Sequence, residues 1–167
     1  MRKKIFNKFK EFNDSLYDKC DIGEKTGIDL PGESVGILKN PSKWDASDHA
    51  SMGYGYGASV TAMQMISAVS AIANNGVRVT PHVIKYSPEE AETKIKSVQV
   101  LRPEVAKAVT RILTNSTSRA KTAVNLSEYN VAAKTGTTDG STDRWLCGFT
   151  PYYAAACWFG YDVQEEI

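Results

Sequence analysis

The residues of this sequence whose types and spacing could do chemistry are two copies of Lys-Thr-Gly. The copy at 25–27 (the loop tripeptide) lies in a polar stretch with glycine and acidic neighbours, whereas the copy at 134–136 (the strand tripeptide) follows the apolar run Val-Ala-Ala. A three-residue match arises easily by chance, so the flanking sequence has to separate the two. Only the strand tripeptide is placed by its surroundings on an extended, edge-like segment.

The strand tripeptide carries groups suited to acyl transfer. The ammonium of Lys134 can orient hydroxyl groups and stabilise negative charge. Threonine hydroxyls can hold a substrate carboxylate, and Gly136 lets an extended substrate lie against the strand. A main-chain N–H just beyond the glycine can donate to a developing oxyanion. Taken alone, however, the tripeptide favours a plain half-exposed strand that ends in a polar turn.

The elements that must position this strand begin with helices. Residues 3–19 have the pattern of an amphipathic helix with a basic polar face, and residues 21–60 form a long irregular stretch. Thr61 and Gln64 fit a capping box at the start of a second helix. The Asn-Gly pair at 75–76 is a good stop signal for that helix.

Shorter elements follow. Residues 77–80 and 98–101 are predicted to be short strands, and the polar residues 86–96 between them a surface excursion. Pro103 suits the first position of another helix, which is predicted to give way to a loop over 114–128.

The end of the chain changes to the period of strands. Segments 131–137, 144–150 and 154–161 read as three strands with short connections, which predicts an antiparallel sheet. Helices come first and the sheet last, so the fold class is α+β, an antiparallel sheet flanked by helices.

Composition excludes several classes of protein. Hydrophobic residues make up 42% and charged residues 23% of the 167-residue chain, which is ordinary for a globular protein. A formal net charge of +1 gives no electrostatic case for nucleic acid. No apolar run approaches the ~20 residues of a membrane span, and no export signal is recognised.

The three cysteines contain no Cys-x-x-Cys pair, so no zinc site is expected. Cys147 and Cys157 flank a predicted turn and could be cross-strand neighbours. Two buried free thiols are favoured over a disulfide, and the odd count leaves the redox compartment open.

Several segments, in this order, resemble the penicillin-binding proteins, the serine D,D-transpeptidases of bacterial cell-wall synthesis. Gly-Glu-Lys-Thr-Gly-Ile-Asp-Leu-Pro-Gly-Glu at 23–33 looks like the stretch that follows an early helix, and residues 57–76 are similar to their long scaffold helix. Residues 134–139 with 143–151 look like the active-site strand and the strand after it. The ordered set, over about residues 5–162, makes the resemblance specific.

The resemblance implies a β-lactamase/transpeptidase-like fold that is incomplete, with residues 1–167 as the C-terminal part of one transpeptidase domain. Lys134 would organise the proton network around the nucleophile. Thr135 and Thr137 would bind the carboxylate of a D-Ala-D-Ala-like stem peptide or a β-lactam. The N–H of Thr137 would supply half of an oxyanion hole beside a wall that Gly136 keeps flat. No cofactor and no metal are implied.

The nucleophile of the family is missing from its expected place. It lies in Ser-x-x-Lys at a helix start, and the single match here, at 118–121, follows the scaffold helix and is interpreted as chance. The second family motif, Ser-x-Asn, is absent from the sequence. We therefore expect no transpeptidase activity and no covalent penicillin adduct from this chain alone. We also expect uncovered apolar faces, with self-association or a need for the N-terminal half of the domain.

Three other functions stay open on the sequence. A Ser-His-Asp hydrolase would use His49 or His82, although structural or surface histidines are favoured at both. A nucleotide-binding loop at 53–57 is glycine-rich but lacks the spacing of a dinucleotide fingerprint. A non-catalytic, truncated binding or interaction module is the main alternative. The parent of a transpeptidase part would work at the extracytoplasmic face of the bacterial membrane.

Overall fold

The computed structural model describes residue 17 and residues 19–119, 128–163 and 165–167. Most of the helix predicted over 3–19 therefore lies outside the described residues. In the described part, the α-helices are α1 Ala46–Gly53, α2 Ala62–Ala73, α3 Pro88–Lys94 and α4 Pro103–Arg119. The strands are β1 Ile37–Leu38, β2 Ala58–Ser59, β3 Val77–Val79, β4 Ser97–Gln99, β5 Ala132–Thr137, β6 Asp143–Phe149 and β7 Ala154–Gly160.

The chain forms two compact units. Among the described residues, one unit contains those up to Gln64 together with Thr80–Lys96, and the other contains Met65–Val79 and those within Ser97–Ile167. Helices and purely antiparallel strand pairs make up both, which confirms the predicted α+β class. None of the described helices is long and apolar enough to cross a membrane.

Helix α1 lies inside the stretch that was predicted to be irregular. Its start is fixed by a capping box, in which the Asp45 carboxylate accepts from the N–H groups of Ser47 and Asp48 while Asp48 accepts from the N–H of Asp45. His49 and Met52 are its buried residues. With eight residues and only these two inward positions, the helix has too short a pattern to stand out in the sequence.

The start and the stop predicted for α2 are both confirmed. The N–H of Thr61 donates to Oε1 of Gln64 at 2.9 Å, and the N–H of Gln64 donates to the Thr61 hydroxyl at 3.1 Å. At the other end, the N–H of Gly76 donates to the carbonyl of Ala71 at 2.7 Å. Gly76 has a φ of +84°, and a Cβ there would lie 2.1 Å from the carbonyl oxygen of Leu101. Glycine is therefore required at this stop.

Two helical segments depart from the prediction. Residues 114–119, which were expected to belong to a loop over 114–128, are part of α4; residues 120–127 lie outside the described residues. The hydroxyl of Thr117 donates to the carbonyl of Leu113 at 2.9 Å, which lets a polar residue fit the helix. The excursion at 86–96 contains α3, started by a capping box between Ser87 and Glu90.

The three-stranded sheet has the order β5-β6-β7 and is antiparallel throughout, as predicted. One face is covered and carries the buried side chains of Ala132, Cys147 and Phe149. The other, the open face, carries exposed side chains from all three strands. These are Thr135, Thr137, Arg144, Leu146, Ala155, Cys157 and Phe159.

The cysteine prediction is half right. Cys147 and Cys157 are both free, but Cys147 is buried while Cys157 is exposed. Cys157 pairs with Leu146 and Cys147 pairs with Ala156, so the two thiols are one position out of register. Side chains alternate between faces along a strand, which places the two thiols on opposite faces of the sheet.

Candidate active site

The strand tripeptide lies on β5, an edge strand of the sheet. The N–H of Ala133 is bound by the hydroxyl of Thr117 on α4, at 3.1 Å, and so points away from β6. The N–H of Thr138 instead bonds the carbonyl of Asp143 at 3.1 Å, toward β6. Main-chain groups alternate along an antiparallel strand. The N–H groups of Thr135 and Thr137 therefore point to the free edge of β5.

The side chains of Thr135 and Thr137 stand together on the open face, opposite Leu146 and Arg144 of β6. Between these strands the surface forms a shallow depression of about 350 Å³. Its lining is Thr135, Gly136, Thr137, Arg144, Trp145, Leu146, Phe159 and Ile167. Three of the four residues predicted for the site therefore meet in one depression.

Lys134 approaches this depression from the other side of the strand. Its side chain leaves β5 on the opposite face from Thr135, yet its ammonium donates to the carbonyl oxygen of Thr135 at 2.5 Å. That carbonyl points to the free edge, as the N–H of the same residue does. The ammonium of Lys134 and the N–H groups of Thr135 and Thr137 thus lie along one edge.

The surroundings of Lys134 leave its ammonium accessible to a ligand. Its side chain is exposed, and none of the ion pairs between described residues includes it. Its cross-strand neighbour is Cys147. Burial raises the pKa of the Cys147 thiol above its ordinary value, with a smaller contribution from nearby Cys157. The group opposite Lys134 is therefore a neutral thiol at pH 7.

A polar cluster fixes the end of β5 next to Thr137. The hydroxyls of Thr138 and Thr142 lie 3.1 Å apart, and the N–H of Asp143 donates to the Thr138 hydroxyl at 3.0 Å. The indole N–H of Trp158 donates to Oδ1 of Asp143 at 2.9 Å. The turn after β5 is thereby tied to both β6 and β7, which sets the direction of the last main-chain groups of β5.

Sequence reasoning missed two residues of this site. Thr117 holds the edge of β5 at Ala133, but its segment was predicted to be a loop. Arg144 stands opposite Thr137 and donates to the main-chain oxygen of Ile167 at 3.0 Å. Its place in a strand with alternating exposure was the available signal, since an exposed cation opposite a threonine hydroxyl favours anions.

The loop tripeptide has a different environment. Thr26 is buried, and its N–H and hydroxyl both donate to Oε1 of Glu33, at 2.7 and 2.5 Å. The N–H of Gly27 donates to the other oxygen of Glu33 at 3.2 Å. These groups are used within the loop itself, so the loop tripeptide is a structural turn.

The remaining candidate residues do not assemble around a reactive group. His49 is buried against Trp44, with ring centroids 5.1 Å apart, and Nδ1 of exposed His82 lies 3.2 Å from the carbonyl oxygen of Thr80. The glycine-rich segment 53–57 follows helix α1, so it is not the loop after a strand that dinucleotide binding uses. Ser118 lies near the C-terminal end of α4, whereas a Ser-x-x-Lys nucleophile stands at a helix start.

Comparison with known proteins agrees with this geometry. Residues 10–165 match the family described as penicillin binding protein transpeptidase domain. The chain is 31% identical over 148 residues to penicillin-binding protein PbpB of Mycobacterium tuberculosis, covering 81% of this chain and 22% of PbpB. It is 32% identical over 145 residues to stage V sporulation protein D of Bacillus subtilis, covering 81% and 21%. The chain thus spans less than a quarter of these relatives.

Solved structures give the same result. A peptidoglycan synthetase from Bifidobacterium adolescentis has a TM-score of 0.69 at 26% identity, over 87% of this chain and 30% of that one. Penicillin binding protein 3 from Mycobacterium tuberculosis, complexed with ampicillin, has a TM-score of 0.64 at 26% identity, over 86% and 37%. Fold, site strand and sequence match together show that this chain belongs to the penicillin-binding protein transpeptidase domain family, of which it carries a part.

Proposed function

We propose that residues 1–167 are the C-terminal part of one peptidoglycan D,D-transpeptidase domain and that their role is to bind the acyl donor. The free edge of β5 carries this proposal, because the N–H groups of Thr135 and Thr137 point away from β6 beside the Lys134 ammonium. An extended peptide can add to such an edge through main-chain hydrogen bonds. A stem peptide ending in D-Ala-D-Ala has this form.

Each residue of the edge has a part in acyl transfer. The Thr135 and Thr137 hydroxyls hold the donor carboxylate, with the Arg144 guanidinium close by. The N–H of Thr137 donates to the oxyanion as the carbonyl carbon becomes tetrahedral. Lys134 helps to move the proton of the attacking hydroxyl.

Gly136 serves the ligand more than the fold. A Cβ at this position would meet only the Cβ of Trp145, at 3.6 Å, which is an ordinary contact, and no left-handed backbone requires glycine here. The missing side chain instead keeps the strand flat where a donor or a β-lactam lies.

Chemistry additionally requires a nucleophile, which this stretch does not supply in the family's position. Acyl transfer depends on an activated hydroxyl as well as on an oxyanion hole. The 167-residue chain alone is therefore inactive and takes no covalent penicillin. The parent transpeptidase cross-links stem peptides at the extracytoplasmic face of the bacterial membrane.

The experiment is intact-mass measurement after incubation with ampicillin, the β-lactam bound in a solved relative. The chain alone is expected to keep its mass. Co-folded with the N-terminal half of a related transpeptidase domain, it should give one adduct, located on the Ser-x-x-Lys of that half. A stoichiometric adduct on the 167-residue chain itself would contradict the proposal. If no adduct forms in the mixture while the halves associate, the alternative of a non-catalytic binding module is favoured.

A further inference from the structure

A side chain closes the hairpin that follows the strand tripeptide. The N–H of Thr138 donates to the carbonyl of Asp143 at 3.1 Å, as the ladder between β5 and β6 requires. The return bond is different, because the N–H of Asp143 donates to the Thr138 hydroxyl at 3.0 Å. The carbonyl of Thr138 is turned into the loop, where it accepts from the N–H of Ser141 at 3.0 Å. The last link between the two strands therefore depends on the rotamer of Thr138.

Apolar packing does not hold this turn in place. Its 3₁₀ segment, Asp139–Ser141, has no buried residue. Gly140 and Ser141 both have left-handed backbones, with φ of 73° and 54°. This region is strained for a residue other than glycine. Hydrogen bonds therefore have to fix the position of the turn.

The Asp143 carboxylate lies beside the Thr138 hydroxyl. Its Oδ2 accepts from the Thr142 hydroxyl at 3.3 Å and from the Thr138 hydroxyl at 3.5 Å. The other oxygen, Oδ1, accepts from the indole N–H of Trp158 on β7 at 2.9 Å. Trp158 thus holds one oxygen of the carboxylate while the turn uses the other, and the carboxylate holds the hydroxyl that closes the hairpin.

Gly160 gives the indole the space that its bond to Asp143 requires. Asp143 and Gly160 are directly opposite each other in the ladder between β6 and β7, and Trp158 is two residues from Gly160. All three therefore lie on one face of the sheet. A Cβ at Gly160 would lie 2.8 Å from Cε2 of Trp158 and closer still to Cζ2, so the ring covers this glycine. The backbone of Gly160 is not left-handed, so the indole, and not the main chain, accounts for the missing side chain.

We propose that Trp158 is a positioning residue for acyl transfer, which acts through Asp143 and Thr138 on the main chain of Thr137. This role rests on the proposed function of the β5 edge and adds to it a residue two strands away. The N–H of Thr138 and the C=O of Thr137 belong to one planar, trans peptide group. Fixing that N–H toward β6 therefore fixes the C=O toward the free edge, where an added strand uses the N–H and C=O of the same residue.

A titration of the 167-residue chain, labelled with ¹⁵N at threonine and tryptophan, with a peptide ending in D-Ala-D-Ala tests this role. The indole signal of Trp158 is expected to shift together with the amide signal of Thr137, at one dissociation constant. The indole of Trp44 is the internal control, because its N–H donates to the carbonyl of Lys39 at 2.7 Å and should not respond. A residue that only supports the fold would not report donor binding in this way.

Substitutions separate positioning from folding. Trp158→Phe removes the N–H donor but keeps an aromatic ring, and it is expected to weaken peptide binding about three- to thirtyfold, the range for residues that act through a network. Trp44→Phe, the matched change, should stay within about twofold. Gly160→Ala should match the loss of Trp158→Phe, and the double variant should lose no more than either, since both changes remove the same bond. Circular dichroism checks that each variant is folded.

The possible failures can be distinguished. If the Thr135 and Thr137 signals do not respond in the unmodified chain, the edge of β5 does not bind the donor, and the role of Trp158 is overturned with that function. If they respond, but Trp158→Phe binds the peptide as tightly as the unmodified chain does, the positioning role alone is overturned. Additive losses in the double variant would also overturn it, because Trp158 and Gly160 would then act separately.

Discussion

The loop tripeptide and the strand tripeptide share the same three residues, and the structure uses them in opposite ways. In the loop, Thr26 is 4% exposed, and its N–H and hydroxyl both donate to Glu33. Gly27 has a φ of +80°. On β5, Thr135 is exposed, and the glycine at 136 has no left-handed φ. The polar groups of the loop tripeptide are hydrogen-bonded within the loop, whereas those of the strand tripeptide are exposed to solvent.

This difference shows what a short motif needs in order to be a site. Lysine, threonine and glycine supply donors and a bare backbone, but those groups can bind a ligand only if the fold leaves them unsatisfied. An edge strand does so every second residue, because half of its main-chain groups have no neighbouring strand. A turn instead satisfies its polar groups locally.

Replacing the two lysines should give the largest difference. In the chain co-folded with an N-terminal half, Lys134→Ala is expected to slow acylation by ampicillin about 10²–10⁴-fold, the range for a lost proton-transfer group. Lys25→Ala, the matched change at an exposed loop position, should stay within about twofold. Intact-mass measurements on samples quenched at a series of times give both rates. Equal losses would remove the distinction between the tripeptides.

Replacing the threonines should affect stability more in the loop tripeptide than in the strand tripeptide, the reverse of the order expected for the lysines and acylation. Thr26→Val removes the buried hydroxyl that donates to Oε1 of Glu33 while keeping the main-chain N–H, and it is expected to cost about 1–3 kcal/mol of unfolding free energy. Thr135→Val, at an exposed position, should stay within about 0.5 kcal/mol. Urea denaturation followed by circular dichroism compares the two. A larger loss for Thr135→Val would mean that the strand hydroxyl is structural.

The glycines should separate backbone need from ligand need. Gly27→Ala places a side chain in the left-handed region and is expected to cost about 1–2 kcal/mol of stability. Gly136→Ala should leave stability within about 0.5 kcal/mol, while lowering the rate of acylation in the co-folded pair. Unfolding curves and acylation rates, measured on the same two variants, test this division. An unchanged rate for Gly136→Ala would show that the flat wall is not needed.

The smallest expected effect is a pH dependence of local stability, confined to the unit that holds the loop tripeptide. Asp29 accepts hydrogen bonds from the N–H groups of Val83 and Ile84 and from the hydroxyl of Tyr86. These bonds, that of Val83 foremost, hold the pKa of Asp29 below its ordinary value. The stability that these bonds contribute is present above that ordinary value, about pH 4. It is lost as pH falls through the lower, folded-state pKa.

Hydrogen exchange can measure this effect. Protection of the Val83 and Ile84 N–H groups should fall below about pH 4, and Asp29→Asn should abolish the change. The N–H of Ala133, which is bound by the hydroxyl of Thr117, provides the control because no titrating group holds it. Equal loss of protection at Ala133 would indicate global acid unfolding instead.

The sequence predicted the strand of the site but not what supports it. The capping pair Thr61 and Gln64, the stop at Gly76 and the three terminal strands follow from local rules, so they could be predicted. Thr117 could not, because a polar helix end becomes part of a site only through a tertiary contact with β5. The exposure of Cys157 likewise depends on strand register, which the residue pattern leaves uncertain by one position.

Donor binding at the edge of β5 is tested most directly by titrating the chain, labelled with ¹⁵N at threonine, with a peptide ending in D-Ala-D-Ala. The amide signals of Thr135 and Thr137 are expected to shift together, Lys134→Ala is expected to weaken this response, and the signal of the buried Thr26 amide should stay in place. If the Thr135 and Thr137 signals do not move at saturating peptide, or move no more than that of Thr26, the edge of β5 is not a donor-binding site.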